Sequence, residues 1–435
     1  MHQHSTSLYT LPAIVLLVAV ALAFVGLGFV MPLRALYARD IGASSVEIGL
    51  MATVFLLASF AVTPAIGWLS DCMGYRTVLG LSLLTYAWLL AAYVPVTSPG
   101  ALIALRAVEG VSAAGVLTPA RALMNTVAPP DRYGEALGLV STARTVGILA
   151  GPAAGTLLAS GVGYTPAFLA ASGVLTLTAL AVFIVLRPHT EATAQVVRQD
   201  PAFSRGFTGP LALAYGLAAV LAWPQGVTPA IWSLYMQDRG ASLPLIGLSF
   251  TTFALAASAL APWAGRISDR YGRWRPIVAG LVLSGVIYCV YGLRLPPEWI
   301  VALAFVEGAG LAVARVATDG FLADHVSQGL QGRIHALFSA VGTAGSLLGA
   351  TVSGVLYVIE PGMPLLAMGV LYLLVAMALL VASAIGHLFG AVSTGHGRAG
   401  HSVGCLVVTD ASHGAKMLEV QHRYLDYDAE KSPYQ

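Results

Sequence analysis

Charge is what this sequence has least of. Of its 435 residues 10% are Asp, Glu, Lys or Arg, against ~25% in an ordinary soluble domain, while 57% are hydrophobic and the mean hydropathy is +0.80. A chain of this size cannot hide so much apolar surface in one or two water-soluble cores, so a soluble protein is excluded. Cysteine is scarce too: Cys72, Cys289 and Cys405 show no spacing that suggests a metal site or a disulfide framework, which sets redox chemistry aside. The net charge of +2, with its basic residues scattered, does not suit a nucleic-acid surface. There is no G-x-x-x-x-G-K-[ST] loop to cradle ATP, no H-E-x-x-H, no G-x-S-x-G and no metal-like grouping of histidines. Close glycine pairs such as Gly26 and Gly28 sit in apolar stretches without the third glycine of a dinucleotide loop. An enzyme is not expected, and neither is a cofactor or metal.

What the sequence does have is long apolar runs bounded by charge, glycine or proline. Twelve are long enough to cross a bilayer: 11–33, 46–68, 77–97, 100–123, 135–159, 163–186, 208–235, 244–265, 276–295, 299–323, 334–358 and 363–388. The flank before the first has no Lys or Arg and its apolar run exceeds a signal core, so it reads as a span rather than a signal peptide. The organisation expected is a short N-terminus (1–10), a six-helix bundle (11–186), a polar linker (187–207), a second six-helix bundle (208–388) and a disordered tail (389–435). Ten arginines, among them Arg76, Arg132, Arg273 and Arg333, fall on the linker side of the membrane, against Arg34, Arg39, Arg239 and Arg294 on the other. The positive-inside rule then puts both termini and the tail in the cytoplasm.

Sliding the chain against itself by 198 residues aligns its halves without a gap from Leu36 to Gly151. Between residues 36 and 74 there are 19 identities in 39 positions. Each copy holds an even number of spans, so the copies are parallel repeats about an axis along the membrane normal, with room for a cavity between them.

The loop after the second span reads Gly67, Trp68, Leu69, Ser70, Asp71, Cys72, Met73, Gly74, Tyr75, Arg76, and its copy keeps Gly265, Asp269, Gly272 and Arg273. This resembles the G-x-L-x-D-x-x-G-R-[RK] signature of the major facilitator superfamily, present in both halves, although Cys72 and Tyr75 replace basic residues common there. The glycines suit a close approach of helices and loop, and each Asp could pair with an Arg or cap a helix, in a contact that breaks as the halves rock. A solvated turn would explain one such loop, though less readily two in register. Arg106, Glu109, Gly110 and Ala114 in the fourth span resemble the family's R-x-x-x-G motif, associated with proton coupling. Gly147, Gly151, Pro152 and Gly155 in the fifth resemble the antiporter motif G-x-x-x-G-P-x-x-G-G, with Thr156 at the last glycine; a generic packing seam is the plainer reading. The resemblance implies an all-α membrane fold of twelve helices in two parallel-repeat bundles.

Charges inside the membrane are costly and mark function. Besides Arg106 and Glu109 they are Arg121, Arg144, Glu307, Arg315 and Asp319, and all but Arg144 lie on the fourth and tenth spans, which in the family fold border the cavity. Arg106 and Glu109, one turn apart, should pair, as should Arg315 and Asp319. Arg121 and Asp319 occupy equivalent repeat positions and could face each other as part of the switch. Glu307 has no close cation in its own helix and is the expected proton carrier, with Glu109 sensing the substrate; a neutral structural Glu is the alternative. Arg144 could pair with Glu109 or meet an anionic group. Phe24, Phe29, Tyr215, Trp223, Trp232 and Phe305 are aromatics available to a substrate, although most such residues only pack.

The expected function is export of an amphiphilic small molecule in exchange for protons by alternating access, by a monomer in the inner membrane. Proton-coupled uptake of an organic anion, or a transport-inactive scaffold or sensor, stands as the alternative.

Overall fold

The computed structural model describes residues 10–129, 132–186, 209–326 and 331–394, every element among them helical. The linker at 187–207 lies outside them, as does the expected tail from 395 on, whereas its first residues, 389–394, continue the last helix instead of being disordered. Twelve helices are long and apolar enough to span a membrane: α1 (Leu11–Asp40), α2 (Ser45–Met73), α3 (Tyr75–Ala92), α4 (Pro99–Val127), α5 (Tyr133–Val162) and α6 (Tyr164–Val185). The second set is α7 (Gly209–Asp238), α8 (Leu243–Tyr271), α9 (Trp274–Tyr291), α10 (Pro297–Asp324), α11 (Gln331–Ile359) and α12 (Met363–Thr394). All but the end of α12 fall in one compact unit, Met1–Ser383.

Local chemistry sets the helix ends. Ser44 and Glu47 form a capping box that starts α2: the Ser44 N–H donates to the Glu47 carboxylate at 2.8 Å and the Glu47 N–H to Ser44 Oγ at 3.3 Å. Gly74 (φ 83°) and Gly272 (φ 79°) turn the chain at repeat-equivalent points, α2 into α3 and α8 into α9, with a left-handed backbone that suits glycine. Large apolar side chains face outward, Leu177 and Ile184 being 68% and 80% exposed, as a surface solvated by lipid requires.

Lipid gives no hydrophobic drive for helices to associate, so close packing through small residues takes over. Gly147, Gly151 and Gly155 press α5 onto the backbone of α1. A Cβ on Gly147 would lie 2.6 Å from the Ala21 carbonyl oxygen, one on Gly151 would lie 2.7 Å from that of Val25, and one on Gly155 would collide with that of Phe29. The same seam recurs in the other half, where Gly345 and Gly349 of α11 meet the carbonyls of Ala219 and Trp223 in α7. Thr156, standing where the motif has glycine, is buried, and the room it needs comes from Gly247 of α8, where any Cβ would strike its hydroxyl.

The halves meet toward the end away from the linker. There Arg39 of α1 pairs with Asp238 of α7 at 2.6 Å, Thr53 bonds Thr351 at 3.0 Å, and Gly49 of α2 abuts Gly354 of α11. Toward the linker the helices part around a cavity. A Cβ on Gly67 would meet nothing within 4 Å and one on Gly265 would make only an ordinary contact with Val316 at 3.9 Å, so the close approach expected at these two glycines is not made in this arrangement, in which the linker-side ends are apart.

One boundary departs from expectation with consequences for function: α1 runs to Asp40 rather than ending near 33. Arg34, placed in a loop by its charge, is in the helix and only 9% exposed, because a carboxylate from α4 neutralises it.

The seam gives a direct test. Gly151→Ala should destabilise the purified protein by about 1–3 kcal/mol through overpacking, read as a fall in its unfolding temperature. Gly173→Ala, whose added Cβ meets nothing within 4 Å, should leave that temperature unchanged or higher.

Candidate functional site

Three of the buried polar groups belong to one cluster in the first half. Glu109 is completely buried, and its carboxylate accepts from Arg106 at 2.5 Å, from Arg34 at 3.1 Å and from the Tyr93 hydroxyl at 3.1 Å. Arg34 also donates to the Tyr86 hydroxyl at 2.5 Å, and the Arg106 guanidinium lies 4.1 Å above the Phe55 ring. The Arg106–Glu109 pair anticipated from spacing is present. The second cation, from α1, was hidden by a sequence separation of 75 residues. Arg144 is not a partner of Glu109: both carboxylate oxygens are already taken by α1 and α4, and Arg144 lies over the Phe24 ring at 5.4 Å instead. Arg34 and Arg106, together with Pro229 of the other half, line a cavity of about 20 Å³, room for one water-sized group.

The repeat reproduces this site with its cations removed. Glu307, 198 positions after Glu109, is 6% exposed and accepts from the hydroxyls of Tyr288 at 2.7 Å and Tyr291 at 2.9 Å, with no cation within 4 Å among the described residues. Where the first half has Arg34 and Arg106, the second has Trp232 and Ala304. Trp232 ends a π-helical turn, Thr228–Trp232, that interrupts α7, and its indole N–H donates to Ser249 Oγ at 2.8 Å. Such turns often accompany functional sites. The space left by the missing arginines is a cavity of about 30 Å³ bordered by Glu307, Trp232, Phe253 and Ala304.

A larger cavity, about 200 Å³, lies toward the linker side and is lined mainly by α7, α10 and α11, with Leu56 from the first half. Arg315, Asp319 and Gln225 supply its charged and amide groups. Arg315 and Asp319 do not form the pair their i,i+4 spacing suggested. In the amide orientation that satisfies both groups, the Gln225 carbonyl oxygen accepts from Arg315 at 2.5 and 3.1 Å, so α7 takes the guanidinium away from Asp319. Arg121 and Asp319 likewise make no ion pair within 4 Å, since both side chains are exposed where the helices have parted. Tyr215 is buried in the core, Trp223 packs on Gly349, and Phe305 is exposed but lines none of these three cavities.

The two loop motifs are built differently. Asp269 pairs with Arg273 at 2.5 Å, and Arg273 also grips Asp324 at the end of α10 at 2.8 Å. In the first half Tyr75 donates to Asp71 at 2.7 Å, while Arg76 donates to the Phe183 carbonyl oxygen and so ties α3 to α6.

A family model described as Major Facilitator Superfamily matches residues 16–225 and 211–391. The chain belongs to the major facilitator superfamily. It is accordingly a transporter and not an enzyme. It is 29% identical over 357 residues to the "Multidrug resistance protein MdtG" of Dickeya zeae (strain Ech586), covering 76% of this chain and 85% of that one. It is 27% identical over 349 residues to the "Multi-drug resistance efflux pump PmrA homolog" of Lactococcus lactis subsp. lactis (strain IL1403), covering 76% and 86%. Among solved structures, the nucleoside transporter NupG in its D323A form superposes with a TM-score of 0.73 at 13% identity, covering 85% of this chain and 99% of that one, a likeness of fold alone.

The cluster predicts an asymmetry between ion pairs. Removing one partner of a buried pair costs about 3–5 kcal/mol, because a charge is left uncompensated. Glu109→Ala, which strands the buried Arg34 and Arg106 without a counter-charge, should therefore sharply lower the unfolding temperature in detergent. Arg132→Ala, which breaks the exposed 2.7 Å bond to Glu135, should change stability by less than ~1 kcal/mol.

Proposed function

We propose that this transporter exports amphiphilic small molecules in exchange for protons by alternating access, as a monomer in the inner membrane with both termini in the cytoplasm. The observation that carries the proposal is the divergence of the two repeat-related carboxylates. Glu109 is locked in its ionised form by two arginines, whereas Glu307 faces only two phenols and a small cavity. A carboxyl group there is stabilised by hydroxyl donors when charged and relieved of its dehydration cost when neutral, so both forms are within reach. That is what a site needs if it is to load and release a proton during each cycle.

In this reading Glu109 keeps a structural charge, and a substrate in the first half would meet Arg34 and Arg106 rather than the carboxylate behind them. The parted linker-side ends, with contacts kept at the other end, correspond to a cytoplasm-facing arrangement. Reversing it requires Arg39 to leave Asp238 while the loop motifs around Asp71 and Asp269 close, with α5 and α11 turning on their glycine seams. The names of the curated relatives, which concern multidrug resistance and efflux, support the direction and the broad class of substrate.

Reconstituted liposomes test this with amphiphilic dyes of both charges, an anionic fluorescein and a cationic rhodamine. An imposed pH gradient should drive at least one dye through the wild-type protein, and Glu307→Gln should cut that flux at least tenfold while exchange of labelled for unlabelled dye persists. Undiminished pH-driven flux in Glu307→Gln would end the assignment.

A further inference from the structure

The linker-side cavity is lined by one cation, Arg315, and one carboxylate, Asp319, and two further arginines of the first half add positive charge beside it. Arg121 of α4, Arg144 of α5 and Arg315 of α10 sit about two to three turns in from the linker-side ends of their helices, and Arg144 is close enough to both of the others for their charges to interact. The partners are weak for such costly groups. Arg315 has the neutral Gln225, Arg144 has the face of Phe24, and no carboxylate lies within 4 Å of Arg121, Arg144 or Arg315 among the described residues. Asp319 is the one acidic group lining the cavity, and the nearby His335 is exposed at the start of α11. Leu56, Phe338 and Phe24 supply apolar surface beside the charges.

We infer that the cavity bounded by Arg315 and Gln225, with Arg144 and Arg121 of the other half adding positive charge beside it, is a binding site for amphiphilic organic anions, their carboxylate held between the halves. This deepens the proposed function and rests on it for the transport cycle, though not for binding. The guanidinium groups belong to both halves: Arg121 and Arg144 to the first, Arg315 to the second. While the site is empty they repel across the gap, which favours the parted arrangement. An anion seated between them turns that repulsion into two attractions, drawing the linker-side ends together. The same group that is recognised would thus also drive closure. Arg144 has no basic counterpart in the repeat, where Gly342 stands, so the cationic pocket is a property of this cavity and not of the duplication.

A matched pair of probes separates charge from shape: 1-naphthaleneacetate and its uncharged amide, 1-naphthaleneacetamide, titrated into the purified full chain with tryptophan fluorescence as readout. The anion should bind at least tenfold more tightly. Arg144→Gln combined with Arg315→Gln should erase that preference while leaving amide affinity within about twofold, which also shows that the variant is folded. Equal affinity for the two probes in the wild type, or a preference that survives both substitutions, overturns the inference. Flux in liposomes distinguishes the two readings. An anion preference without pH-driven movement of the bound anion rejects proton antiport and keeps the site; pH-driven movement of cationic dyes alone, with no anion preference, keeps antiport and rejects the site.

Discussion

An ionised carboxylate inside a membrane bundle must be neutralised where it stands, because lipid cannot solvate it and neighbouring helices supply the only partners. Glu109 meets this demand through Arg34 and Arg106, and much of the first half follows from it. The charge ties α1 to α4 and draws in the Tyr93 hydroxyl, while Arg34 in turn holds that of Tyr86. The second half inherits the carboxylate at Glu307 but not the cations. There the carboxylate is met by phenol hydroxyls instead, those of Tyr288 and Tyr291.

The shared scaffold makes that comparison meaningful. Tyr37 and Tyr235, again 198 apart, donate to the Tyr93 and Tyr291 carbonyl oxygens respectively, and the Gly110 and Gly308 positions rest on the carbonyls of Phe55 and Phe253. These backbone contacts around the two carboxylates are thus preserved, while the side chains next to them have changed and α7 carries a π turn that α1 lacks. The glycine seams between α1 and α5 and between α7 and α11 are kept in both halves, since helices that lack a hydrophobic drive to associate need backbone contact.

Much of this was legible in the sequence. The twelve spans follow from apolar length, the duplication from one fixed offset, and the Arg106–Glu109 pair from helical spacing. Arg34 was not, because a scan for apolar runs stops at a charge, and its partner lies on a helix that the chain reaches only after two more crossings. A signal was nonetheless available: at the repeat offset, Arg34 and Arg106 both align with uncharged residues, Trp232 and Ala304. Helical spacing misled at Arg315, whose hydrogen bonds go to Gln225 on α7, since i,i+4 proximity permits a pair but a better-placed acceptor on a neighbouring helix can take the donor. The π turn in α7 leaves no periodic trace that a hydropathy reading detects.

The central claim is that of the two repeat-related carboxylates only Glu307 exchanges a proton. Infrared difference spectroscopy of the purified protein, stepped through the neutral pH range, observes the carboxylic acid carbonyl stretch directly. One buried acid band should appear and vanish reversibly in the wild type and be missing in Glu307→Gln. A band that persists unchanged in Glu307→Gln would contradict the account.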